Sequence, residues 1–121
     1  MSKKTGPTNP YLRKLAENLR IKSRELNAPI WAVIAEKLSK PTRQRIEVNL
    51  SDIERHTSDG ETIIVPGVVL AAGVLSKKIS VAAWKFSPAA EEKIKSAAGE
   101  CLTIENLLEK NPKGSNVKII S

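Results

Sequence analysis

Arginine and lysine are the residues whose number and spacing in this sequence could do chemistry, and that chemistry is the binding of phosphate. Eleven stand in the first 45 residues, among them Lys3, Lys4, Arg13, Lys14, Arg20, Lys22, Arg24, Lys40, Arg43 and Arg45, against three acids, Glu17, Glu25 and Glu36. The local net charge is +8, and because the whole chain carries +7 the other 76 residues are close to neutral at −1. A polyanion-binding segment joined to a neutral folded body has this distribution, which makes nucleic acid the leading partner before any motif is read. Lys77 and Lys78 complete the set of candidate phosphate contacts.

Other chemistries fare worse. His56 is the only histidine and Cys101 the only cysteine, fewer imidazole and thiolate ligands than a transition-metal site needs. His56 falls in the turn Arg55-His56-Thr57-Ser58, as a surface residue outside any Ser-His-Asp constellation. The stretch from Gly67 to Gly73 has the glycines of a phosphate loop but lacks the Gly-Lys-Ser/Thr that would place an ammonium on phosphates and a hydroxyl on magnesium. Its glycines mark backbone positions with unusual dihedrals or a close approach, either to another strand or to RNA. No catalytic residue, metal ligand, cofactor or small-molecule substrate is expected. A small enzyme assembled from the 67–73 loop is the competing class, and phosphate-ester turnover lost on altering that loop would favour it.

Single-strand readers set aromatic platforms among basic residues, and only Tyr11, Trp31, Trp84 and Phe86 are aromatic here. Three of these sit where a core wants them, so recognition should rest on phosphate and folded shape. Cys101, in Gly99-Glu100-Cys101-Leu102, reads as a small buried strand residue rather than an activated thiol, consistent with an intracellular chain. The amino terminus lacks a signal-peptide core, no run approaches the ~18 apolar residues of a membrane span, and the first helix mixes its charges without an interfacial Trp. No membrane partner is expected.

The elements that must position the basic residues follow from periodicity. Residues 1–9, polar and holding a Gly-Pro pair, read as an arm that orders on a partner. From Pro10 to about Leu26, Leu12, Leu15, Ala16, Leu19, Ser23 and Leu26 form a helical stripe, with Asn9 as N-cap. At ~100° per residue Arg13, Arg20 and Arg24 then lie within roughly 40° of one another beside that stripe. The alternative to a phosphate-binding arginine ridge is a merely solvated face, in which Glu17 can pair with Arg13 or Arg20. Asn27-Ala28-Pro29 breaks the helix, residues 30–38 form a second one with Trp31 inward, and residues 40–45 form an extended basic linker.

The body is then a mixed α/β unit at residues 46–121. Strands are expected at 46–50, at 62–65 ended by Pro66-Gly67, at 79–84 in a central position, near 101–102 and at 117–120. Helices are expected after a capping box Ser51-Asp52-Ile53-Glu54, from Pro88 to Ala98 behind Ser87, and from Thr103 to about Lys110. At 121 residues and 40% apolar content the whole fits one domain, with residues 1–45 as its basic extension.

Five segments, Thr5-Gly-Pro-Thr-Asn-Pro10, Glu47-Val-Asn-Leu50, Ile64-Val-Pro-Gly67, Val81-Ala-Ala-Trp-Lys-Phe-Ser87 and Asn111-Pro-Lys-Gly-Ser115, resemble in order and spacing the archaeal and eukaryotic large-subunit ribosomal protein family numbered eighteen. That family is related to bacterial large-subunit protein fifteen, and the short form without an extended tail looks archaeal. Two positions depart from its pattern: Ala71, where glycine is frequent, and Ala98, where a Gly-Gly pair is frequent. The resemblance implies an irregular superhelix of β-β-α units with a helical extension on large-subunit ribosomal RNA. It also implies a cytoplasmic, ribosome-bound structural role, neighbouring ribosomal proteins as partners and no catalysis. A non-ribosomal adaptor for structured RNA is the alternative, and co-sedimentation with the large subunit separates the two.

Overall fold

A computed structural model of the chain describes residues 10–39 and 46–121. Helix α1 occupies Pro10–Leu26, buries Leu12, Leu15, Ala16 and Leu19, and leaves its polar flanks in solvent. It stops where Asn27 turns left-handed at φ +52° and Ala28 N–H donates back to the Ser23 carbonyl at 3.0 Å. Helix α2, Ile30–Leu38, packs against it and buries Trp31, Ile34, Ala35 and Leu38.

Beyond the basic segment come strand β1 (Ile46–Asn49), helix α3 (Leu50–His56), strand β2 (Thr62–Leu70), strand β3 (Ser80–Phe86), helix α4 (Pro88–Ser96), strand β4 (Glu100–Thr103), helix α5 (Ile104–Lys110) and strand β5 (Val117–Ile119). Every strand pair is parallel, in the order β1-β2-β3-β4, with β5 also on β2. The period of two along the strands splits the core. Ile64, Ala82 and Leu102 face α1, α2 and α5, whereas Ile63, Val65, Val81 and Ala83 face α3 and α4. The α/β class expected from the sequence is therefore a three-layer arrangement with helices on both faces of the sheet.

Several boundaries differ from expectation. Strand β2 does not end at Pro66-Gly67 but runs through to Leu70. Strand β5 covers residues 62–64 on one edge of β2 and β1 covers residues 67–70 on that same edge, so Pro66 falls in the gap between them. On the other edge the register with β3 shifts between Val65 and Val68. A residue with no N–H is thus placed where no ladder bond is lost. Gly67 faces Ile46 across the pair, and a Cβ there would collide with the Ile46 carbonyl, so this glycine serves strand approach. The second difference is the start of α3, which is capped by Asn49 rather than Ser51. Asp52 Oδ2 accepts from Asn49 N–H at 3.2 Å, because Leu50 already belongs to the helix and is fully buried.

Helices α4 and α5 begin where their caps predict. Ser87 Oγ accepts from Ala90 N–H at 3.1 Å, and Thr103 Oγ1 accepts from Asn106 N–H at 3.0 Å. Helix α4 ends at Ser96, two residues before the expected Ala98, because Ala98 itself adopts φ +65° and Gly99 N–H returns to the Ile94 carbonyl at 2.9 Å.

Candidate nucleic-acid interface

Helix α1 holds the candidate surface because its buried stripe fixes its rotation. With Leu12, Leu15 and Leu19 pinned in the core, Arg13, Arg20 and Arg24 must share one exposed flank. Arg20 Nη2 donates to Ser39 Oγ at 2.7 Å, and Ser39 Oγ in turn donates to the Ala35 carbonyl at 2.8 Å, which ties this flank to the end of α2. Among the described residues no carboxylate, Glu17 included, comes within ion-pair distance of these three guanidiniums. Three exposed guanidiniums without a described counter-charge can each offer N–H donors to a phosphate, Arg20 with those that Ser39 does not use.

The other predicted contacts divide. Lys14 is exposed on the next flank of α1, beside a cleft it shares with Tyr11 and Trp84. Lys22 lies 3.3 Å from Glu25, so part of its charge is already answered. Lys77 and Lys78 stand apart from the arginine flank, with α3, in the layer across the sheet. Lys77 Nζ donates to the Glu54 carbonyl at 2.6 Å and to the Thr57 carbonyl, a tether for the loop before β3. The Lys78 side chain is exposed while its N–H is held by Asp59 Oδ1 at 2.8 Å. Lys3, Lys4, Lys40, Arg43, Arg45, the Asn9 cap and the 40–45 linker lie outside the described residues.

Three carboxylates elsewhere, Glu54, Glu61 and Glu100, are held by donors of their own. Glu54 lies below the ordinary carboxylate range because Ser76 N–H and then Ser76 Oγ donate to it, and Glu61 because Ser58 N–H does. Glu100 is lowered by the Lys110 ammonium at 3.0 Å. Burial raises the Cys101 thiol, the opposite of activation, as its strand position predicted. His56 is the last residue of α3, exposed, with Nδ1 2.8 Å from the Asp52 carbonyl oxygen. Among the described residues no helix is long and apolar enough to cross a membrane.

Sequence reasoning missed Lys85, whose ammonium sits 5.7 Å from the centroid of the Trp84 ring, and it assigned Trp84 to the core, where the ring is only half-buried. The alternation of β3 carried the signal: Ala82 and Trp84 share one side of the strand, but Ala82 is fully buried whereas Trp84, two residues on, is only partly buried against the same cluster.

The whole chain, residues 1–121, matches the model of the family described as ribosomal protein 60S L18 and 50S L18e. The chain belongs to this family. It is 50% identical over 121 residues to the large ribosomal subunit protein eL18 of Methanopyrus kandleri, covering 96% of this chain and 95% of that one. The eL18 of Methanothermobacter thermautotrophicus is 48% identical over 120 residues, 99% of each chain, and that of Pyrobaculum aerophilum is 50% identical over 116 residues, 96% and 95% of the two.

For this L18-family chain the motifs that carried the resemblance acquire physical roles. Pro66 fills the gap between β1 and β5, and residues 81–87 are β3 with the cap of α4. The segment 111–115 clamps the corner between α1 and α2. Lys113 Nζ donates to the Leu26 carbonyl at 2.7 Å, the Pro112 carbonyl accepts from Trp31, and Gly114, at φ +68°, packs on Ile30.

Proposed function

We propose that this chain is a structural constituent of the large ribosomal subunit that binds and stabilises folded large-subunit ribosomal RNA through phosphate contacts, without a catalytic step of its own. The observation that carries this reading is the flank of Arg13, Arg20 and Arg24, exposed, unanswered by any described carboxylate and held on a helix whose rotation the core fixes. Family membership supports the particle and the RNA, and neighbouring proteins of that subunit follow as partners. Residues 1–45 form the RNA-facing extension of a single domain, with Lys3, Lys4, Lys40, Arg43 and Arg45 adding contacts to those of the helix.

The test is the salt dependence of binding to folded large-subunit RNA. Each neutralised phosphate adds about −0.7 to −0.9 to the log–log slope, so engagement of about six cations gives roughly −4 to −5. A slope near zero removes the phosphate mechanism. Co-sedimentation of the tagged chain with the large subunit at physiological salt separates the ribosomal role from that of a free adaptor.

A further inference from the structure

On the flank of α1 next to the arginines, a cleft of about 590 Å³ opens between that helix and the ends of β3 and α5. Its volume is in the range, roughly 300–1,000 Å³, of sites that enclose a small ligand. Tyr11 is 77% exposed at one wall, and the half-buried Trp84 forms the other. Lys14, Glu17, Asn18 and Glu105 also line it, and the Lys85 ammonium lies 5.7 Å from the centroid of the Trp84 ring.

We infer that this cleft receives an unstacked RNA base bearing an exocyclic amino group, seated against Tyr11 with its edge toward Glu17, Asn18 and Glu105. This rests on the RNA-binding reading above and adds a base site to a phosphate surface. A phenol ring 77% exposed, on the helix proposed to bind RNA, offers a stacking platform for any base. Ionised carboxylates only accept hydrogen bonds, so they select edges rich in N–H groups, those of adenine, cytosine and guanine over uracil. Lys14 and Lys85 offset Glu17 and Glu105, so the cleft does not repel a backbone passing its mouth. The site also continues directly from Arg13, the neighbour of Lys14, so a strand tracked by the guanidiniums can turn one nucleotide inward.

A neighbouring cavity shares Asn18 and Glu105 but adds Glu109, Leu108 and Pro112 and no aromatic ring, which is the composition suited to a basic peptide. The two aromatic walls favour the base in the first cleft.

The full chain reports on this site through its own fluorescence. Trp31 is fully buried, so Trp84 is the indole that a ligand can reach, and Trp84→Phe assigns the signal. The probes are five-nucleotide RNAs of A, C, G or U and an abasic ribose-phosphate pentamer, titrated at several salt concentrations. The expected result is quenching of Trp84 and about tenfold tighter binding of the A, C and G strands than of the abasic strand, with U weakest. Tyr11→Ala should abolish the difference and Tyr11→Phe should keep it. Equal binding of base-bearing and abasic strands with a steep salt slope overturns the cleft and leaves the phosphate reading intact. Loss of the salt slope as well overturns both. Equal binding of all four bases overturns the carboxylate readout, and quenching by a lysine-rich peptide but by none of the RNAs overturns the base site in favour of a protein partner.

Discussion

The indole Nε1 of Trp31 donates a 2.7 Å hydrogen bond to the carbonyl oxygen of Pro112, joining the second helix to the loop after the last one across 81 residues of chain. The ring is fully buried among α1, α2 and α5. One side chain therefore does the work of packing and of satisfying a loop carbonyl, and neither task leaves a face for RNA.

Trp31→Ala should lower the unfolding free energy by roughly 3–5 kcal/mol through the cavity it leaves. Trp31→Phe should lower it less, since most of the volume is kept and the lost hydrogen bond contributes about 1 kcal/mol. Denaturant unfolding measures both, and an unchanged midpoint in Trp31→Ala would refute the core role.

Arg24→Glu and Lys95→Glu change net charge equally but stand in layers on opposite faces of the sheet, and Lys95 lies 3.6 Å from Glu91. In about 0.15 M salt, where attraction between exposed charges fades over ~8 Å, only the Arg24 change should weaken binding to large-subunit RNA strongly. Equal losses in a filter-binding titration would leave a generally basic protein and no arginine flank.

Ala98→Gly should stabilise the fold. Ala98 holds φ +65°, which costs an L-residue about 1–2 kcal/mol, and glycine removes that strain while adding about 0.4–1 kcal/mol of unfolded-state entropy. A net gain of about 0.5–1 kcal/mol should appear in the melting curve. Gly73→Ala is the converse, because φ there is +101° and a Cβ would crowd Ser51, so this variant should melt earlier.

Acid should destabilise the protein through Glu54, Glu61 and Glu100, whose folded-state values are all lowered, Glu54 first by the Ser76 N–H, Glu61 by the Ser58 N–H and Glu100 by Lys110. A lowered carboxylate contributes stability above its unfolded value, and that contribution is lost as pH falls through the folded value. Melting temperatures should therefore drop as pH falls through and below the ordinary carboxylate range. Glu54→Gln should flatten part of that drop, and an unaltered pH profile in this variant would show that the Ser76 contacts do not matter energetically.

Much of this architecture could be read from the chain because local chemistry decides it. Ser87 before Pro88 and Thr103 three residues before Asn106 place α4 and α5, and the leucines of α1 fix which flank its arginines occupy. The misreadings have tertiary causes. Pro66 looked like a strand end, and only the end-to-end placement of β1 and β5 shows why it is tolerated inside β2. Leu50 continued an alternating pattern, and its burial in α3 shifted the cap to Asn49. Lys77 looked like a free cation, but two carbonyls of α3 and the residue after it hold its ammonium, and no local pattern encodes that. Trp84 matched a core residue by type, and its ring does pack against the core cluster, but it also lines a cleft beside α1.

The clamp that residues 111–115 place on the α1–α2 corner orders events during folding. Helices α1 and α2 are made first, but the groups that seat them, Ile104, Leu107, Leu108, the Pro112 carbonyl and Lys113, are made near the end. Such distant contacts form late, because a long loop must close before they stabilise anything. A nascent chain lacking its last twenty residues therefore carries the arginines without the clamp that seats their helix, and the surface proposed to bind RNA is finished only with the carboxy-terminal segment.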